Sequence, residues 1–172
     1  MNLSLYEITI PVFIHHLQIL KKVLEKGERY GKKKRWSQKK LLEAQLAPDM
    51  FSLRKQIQYS YFMALEATTI LSGREMPKGF AYNEETIENL KKSLAQTVLF
   101  LKKIRPNEFE GREKKKVKTF LHSKKQFGIR EYALELALPD FFFHVTTAYG
   151  ILRHLGVSLQ KDDYLGLKEE KR

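Results

Sequence analysis

Five histidines are the groups with the most chemistry to offer in a 172-residue chain that has no cysteine. His15 and His16 are neighbours, and on a helix adjacent side chains diverge by about 100°, so they cannot share an ion. His144 and His154 stand about 80° out of phase and roughly 15 Å apart along a helix axis, so they fail as a pair too. His122 lies in a basic stretch. Without cysteine there is no thiolate ligand, thiol nucleophile or disulfide. GxSxG, GxGxxG, HExxH and a Walker-type phosphate loop are all absent. The spacing predicts no metal site and no cofactor. What remains is His144, with Thr147 and Tyr149 close by in an apolar segment. A histidine so placed is either a hydrogen-bonded core group or a donor or base for a ligand. Whether the protein is an enzyme is left open by the residues.

The elements that must carry these groups are helical. Leu3, Tyr6, Ile10, Phe13, Leu17, Leu20 and Leu24 step by three and four along one stripe. Pro11 falls inside that pattern, so either Thr9 caps a helix with proline in its first turn or a longer helix kinks there, and the stretch with Gly27 and Gly31 ends it. A second helix is expected from Met50 to Leu71, opened by Pro48 or by Asp49, which could cap it, and stopped by Gly73 and Pro77. A third should start at Asn83, with Glu84 and Glu85 at its positive end, and run to Ile104 before Pro106. Residues 108–130 lack helical periodicity. Alternation around Val117, Thr119 and Leu121 allows a short two-stranded excursion there. A piece from Arg130 to Leu138 then bends at Pro139 into a last helix from Phe141 to Leu155, which Gly156 stops. Four amphipathic helices bury their stripes as an all-α four-helix bundle. Residues 1–166 read as one domain and 167–172 as a tail.

The formal net charge is +12. Ten Lys and Arg lie between Lys21 and Lys40 against Glu25 and Glu28, and a second cluster runs from Arg112 to Lys125. Both read as solvated basic loops, with binding to nucleic acid or an anionic surface as the alternative. The N-terminus lacks a signal-peptide pattern and no apolar run approaches the ~18 residues that would span a bilayer, so the expected location is the cytoplasm, without membrane insertion. Phe62, Phe100 and Ile14 fall outside the main stripes, and a homodimer is expected.

The strings LAPDM (Leu46–Met50), FEG (Phe109–Gly111), FFFHVTTAYGILRHLG (Phe141–Gly156) and DYLG (Asp163–Gly166) resemble the uncharacterised bacterial family DUF1993, itself similar to the DinB/YfiT-like superfamily. That resemblance implies an up-down-down-up bundle. It also implies a cleft in which metal-binding members place three histidines, one from the second helix and an HxxxH pair on the fourth. Here His144 matches the first of the pair, Ala148 stands at the second, and Gln56 is nearest to the second-helix position. Two of the three imidazoles are missing. The superfamily packing would bring Gln56 and Asp49 to face His144, with Thr147 and Tyr149 completing a polar pocket. The expected function is then a bundle that has lost its metal and holds a small ligand or partner at His144. The alternative is a metal-dependent transferase or hydrolase using His144, Gln56 and Asp49.

Overall fold

The computed structural model of the chain describes residues 3–79, 82–119 and 125–167. His122, Lys124 and the tail from 168 lie outside the described residues, so the expectations placed on them go no further here. The elements are α1 (Leu5–Lys33), α2 (Gln38–Leu42), α3 (Leu53–Ser72), α4 (Ile87–Leu101), a 3-10 turn (Pro106–Phe109), β1 (Lys116–Val117), β2 (Phe127–Gly128), α5 (Ile129–Glu131) running into a π-helical turn (Tyr132–Ala137), α6 (Leu138–His154) and α7 (Lys161–Leu165).

Four pairs of contacts, each pair spaced along two helices, fix the direction of each long helix. Phe13 meets Phe141 edge to face at 4.8 Å, and further along Gly27 abuts Leu152, so α1 and α6 run parallel. Tyr6 packs on Phe109 beyond the end of α4, while Glu28 pairs with Lys91 near its start; α1 and α4 are antiparallel. Gln58 and Tyr61 bond Glu84 just before α4, and Arg74 reaches the Lys103 carbonyl beyond its end, which makes α3 and α4 parallel. Gln56 meets His144, whereas Glu66, further along α3, acts on the earlier Tyr132, so α3 and α6 are antiparallel. The bundle is therefore up-down-down-up. The short antiparallel ladder pairs Lys116 with Gly128 and Val117 with Phe127, close to the excursion that the alternation allowed.

Helix ends differ from expectation where side-chain chemistry differs. Of the two starts left open, α1 takes the longer one: it runs through Pro11 and is capped by Ser4 rather than Thr9, because Ser4 and Glu7 form a reciprocal capping box. Thr9 instead donates to the Leu5 carbonyl at 2.6 Å. Gly27 and Gly31 do not stop α1. Both are buried inside it, and a Cβ at Gly27 would lie 2.7 Å from Leu152 Cδ2. Glycine is there for close approach of α1 and α6. Eight of the first cluster's ten cations are thus on helix rather than loop: Lys21, Lys22, Lys26, Arg29, Lys32 and Lys33 on α1, and Lys39 and Lys40 on α2. α3 begins four residues after Asp49, with Ser52 at its N-cap position. α4 is capped by Thr86, which accepts from Asn89 N, not by Asn83. Gly73 does close α3, with φ +78°, and the Arg112 guanidinium crosses over it to donate to the Ile70 carbonyl at 3.0 Å.

Pro139 has no N–H to give and its ring collides with the carbonyl one helical turn back. The π-helical turn immediately before it carries one extra residue, so the two helical registers meet where the proline interrupts the ladder. This turn places Tyr132 and Ala137 in the core and sets the phase at which α6 presents His144.

Candidate functional site

His144 is 5% exposed and lies at the α3–α6 interface. Its Nδ1 is 2.6 Å from Gln56 Oε1. The Gln56 amide cannot be turned the other way, because its Nε2 donates to the Phe51 carbonyl at 3.2 Å. Gln56 therefore accepts, and Nδ1 carries a proton. The other ring nitrogen, Nε2, faces Asp140 Oδ1 at 3.3 Å. Nδ1 is taken up by Gln56 and Nε2 is turned toward a carboxylate of its own helix, so the buried ring is held at both nitrogens by groups of the protein itself.

Three rings surround the imidazole. Phe51 lies nearly parallel to it at 6.3 Å, Tyr59 at 5.2 Å, and Phe143 edge-on at 5.3 Å. Phe51 also packs on Tyr59 at 4.8 Å. Two of the three open to solvent, Phe51 at 40% and Phe143 at 53%. A polar chain Gln56–His144–Asp140 thus sits directly beneath a partly exposed aromatic rim.

Of the residues the sequence pointed to, Gln56 and His144 are brought together. Thr147 is one turn from Phe143 and donates to its carbonyl at 2.7 Å, so its hydroxyl is turned into its own helix. Tyr149 lies on a different side of α6, against Tyr164 of α7 at 5.5 Å. Asp49 is exposed in the turn before α3 and makes no bond to His144. The carboxylate that does face the imidazole is Asp140, which sequence reasoning missed. The four-residue step is legible, but upstream from His144 to Asp140 rather than downstream to Ala148. His15 and His16 serve another end of the fold. His15 Nε2 meets the Leu165 carbonyl at 3.2 Å, and His16 packs among Phe141, Phe142 and Tyr164. Burial holds the His16 imidazole below its ordinary pKa, against the pull of the Val12 carbonyl. Both help to seat α7, which Asp163 anchors by pairing with Lys26 and capping its own helix through Gln160 N.

A second buried polar centre lies between α3 and α4. Glu84, read from the sequence as a helix-start residue, instead accepts from Tyr61 OH at 2.6 Å, from Gln58 Nε2 at 3.0 Å and from Ser93 Oγ. Burial raises its pKa, but Ser93, Tyr61, the backbone and Gln58 together outweigh that and hold it below the ordinary carboxylate value. Tyr61 and Tyr82 stack at 5.5 Å beside it, and burial with the Glu84 and Glu66 charges pushes Tyr82 up to about 12.

The donor set does not suit the three-imidazole metal site that the resemblance implies. Ala148 has no ligating atom, and the Gln56 oxygen already accepts from His144. Among the described residues no three His, Asp or Glu side chains are grouped to hold an ion. No helix among them is long and apolar enough to cross a membrane.

The model of a domain of unknown function, DUF1993, matches residues 5–165. A crystal structure of a DinB family member protein from Shewanella denitrificans is similar to the whole chain: 32% identity and a TM-score of 0.88, covering 98% of this chain and 95% of that one. No curated protein matches. The chain belongs to the DUF1993 family and has the helical fold of the DinB family member.

Proposed function

We propose that this DUF1993 protein is a ligand-binding bundle in which the aromatic rim over His144 holds a small organic molecule without a transition metal. The observation that carries the reading is the clamped imidazole: Gln56 and Asp140 hold both of its nitrogens, while Phe51 and Phe143 stay open beside it. Apolar surface next to a few convergent polar groups is the usual make-up of a small-molecule site. His144 and Gln56 set the shape of the floor, Asp140 supplies a charge at the edge, and the rings supply contact area.

Elemental analysis and a thermal-shift screen of small organic compounds test this. A compound that raises the melting temperature of the wild type but not of Phe143→Ala or His144→Ala supports it. One tightly bound Zn²⁺ or Ni²⁺ per chain, lost in His144→Ala, refutes it and favours the metal-dependent transferase or hydrolase reading. The protein acts in the cytoplasm as a homodimer in this proposal, with Leu99 and Leu134 as exposed apolar surface for pairing. Sedimentation at micromolar concentration returning only the 20.3 kDa chain rejects the dimer.

A further inference from the structure

The α3–α6 pair differs in charge from the rest of this basic chain. From Gln56 to Gly73 and from Tyr132 to Leu152 there is no Lys or Arg, and the charged residues are Glu66, Glu135 and Asp140. Asp140 sits at the edge of the aromatic rim. Tyr132, fully buried, has a hydroxyl with no hydrogen-bond partner. It lies within electrostatic reach of both Glu66 and Asp140, whose charges add to burial in pushing its phenol upward. Asp140 faces His144 and forms no ion pair with a Lys or Arg among the described residues. From the first turn of α3, Lys55 places its ammonium 5.5 Å from the Phe51 ring centre. The exposed ring face already accepts an ammonium from the chain itself.

We infer that the ligand of the His144 site is an organic ammonium ion, held by the faces of Phe51, Tyr59 and Phe143 and by the Asp140 carboxylate. The inference rests on the ligand-binding reading above and narrows it to a chemical class. A ring quadrupole presents a negative face, and several rings beside one carboxylate attract a soft, poorly hydrated cation more than a neutral molecule of the same shape. The Asp140 oxygen that faces His144 leaves the second carboxylate oxygen able to accept from, or lie against, an ammonium group. An anion would meet the Asp140 charge at the rim, where Lys55 is the cation seen to approach a ring face.

Three probes of matched shape decide it: choline, the neutral 3,3-dimethylbutanol and the anionic 3,3-dimethylbutyrate, each titrated into the full chain and followed by NMR shifts of the Phe51, Tyr59 and Phe143 rings. The expected result is choline binding about 3–30-fold tighter than the neutral isostere, with that preference lost in Asp140→Asn and affinity raised in Lys55→Gln, where the competing cation is gone. If 3,3-dimethylbutanol binds as well as choline, the site holds organic ligands but the ammonium inference falls. If 3,3-dimethylbutyrate binds best, or Lys55→Gln weakens choline binding, the charge argument is reversed and the inference falls. If none of the three shifts the rings at millimolar concentration, the ammonium inference and the ligand-binding reading fall together. Phe143→Leu keeps the core intact and serves as a second variant if Asp140→Asn does not fold.

Discussion

Removing the Glu84 carboxylate should be among the most damaging single changes in the chain, although it lies outside any helix. Its oxygens accept from Tyr61, Gln58 and Ser93 at a site only 9% exposed. A hydrogen bond to a charged group contributes about 1.5–3 kcal/mol. The three are not additive, and in Glu84→Ala the Tyr61 hydroxyl and the Gln58 amide are left buried without this acceptor. The combined loss should come to about 3–5 kcal/mol, or a melting temperature lower by about 6–20 °C at roughly 2–4 °C per kcal/mol for a chain of this size. Glu84→Gln keeps the shape and one acceptor oxygen and should lose about 1–3 kcal/mol. The sign with pH follows from the depressed pKa. Folding stability gained from the carboxylate is fully present above the unfolded value of 4.5 and disappears as pH falls through the lower folded value. Wild type should therefore lose stability more steeply than Glu84→Gln as the solution is acidified below that point. Urea denaturation of the three proteins, at neutral pH and through the acid range, measures both. A loss under about 1 kcal/mol in Glu84→Ala, or parallel acid profiles for wild type and Glu84→Gln, would refute the reasoning.

His144→Ala should strand the buried Gln56 oxygen and lower stability by about 1–3 kcal/mol, with no response to added Zn²⁺ or Ni²⁺; a metal-induced rise in the wild-type melt that the mutant lacks would overturn the structural assignment. Gly27→Val should destabilise by about 1–3 kcal/mol through overpacking against Leu152, and Leu152→Ala in the same chain should recover part of it; equal melts for wild type and Gly27→Val would show that the helices can separate freely. Asp163→Asn should loosen α7 by removing the partner of Lys26, seen as faster amide exchange at Tyr164 and Leu165 with the bundle core unchanged. Because the Glu84 charge helps to raise Tyr82 to about 12, spectrophotometric titration of Glu84→Gln should show an earlier phenolate, and an unchanged alkaline curve would exclude that coupling.

Periodicity made the four long helices readable, since Phe13, Ile57, Leu94 and Val145 from their stripes are all buried. It could not give their order, because direction depends on contacts such as Phe13–Phe141 that join residues far apart in the chain; the resemblance supplied that. Helix ends were read less well. Ser4, Thr86 and Ser52 stand at N-cap positions while Asp49 and Asn83 do not, and all five are residue types that cap well. Composition cannot choose between neighbouring candidates. Glycine posed a similar ambiguity: Gly27 and Gly31 resemble a stop, yet they allow two helices to touch. At the site, His144 and Gln56 were legible. Asp140 was hidden because the superfamily pattern directs attention to Ala148, and the rim was hidden because Phe51 and Phe143 look like ordinary core residues until their exposure is known.

The π-helical turn before Pro139 amounts to a one-residue insertion stored inside a continuous helix. An α-helix turns about 100° per residue, whereas the π-helical turn spreads its extra residue over one wider turn, so deleting one residue from Tyr132 to Ala137 would close the bulge to α-helix and leave the helix on either side nearly in phase. α6, with Asp140, His144 and the rim phenylalanine, would keep its place on α3. This is therefore the point at which the chain can shorten by one residue at local cost while leaving the imidazole clamp untouched, and an alignment drawn without a gap there would pair the wrong side chains upstream of the site.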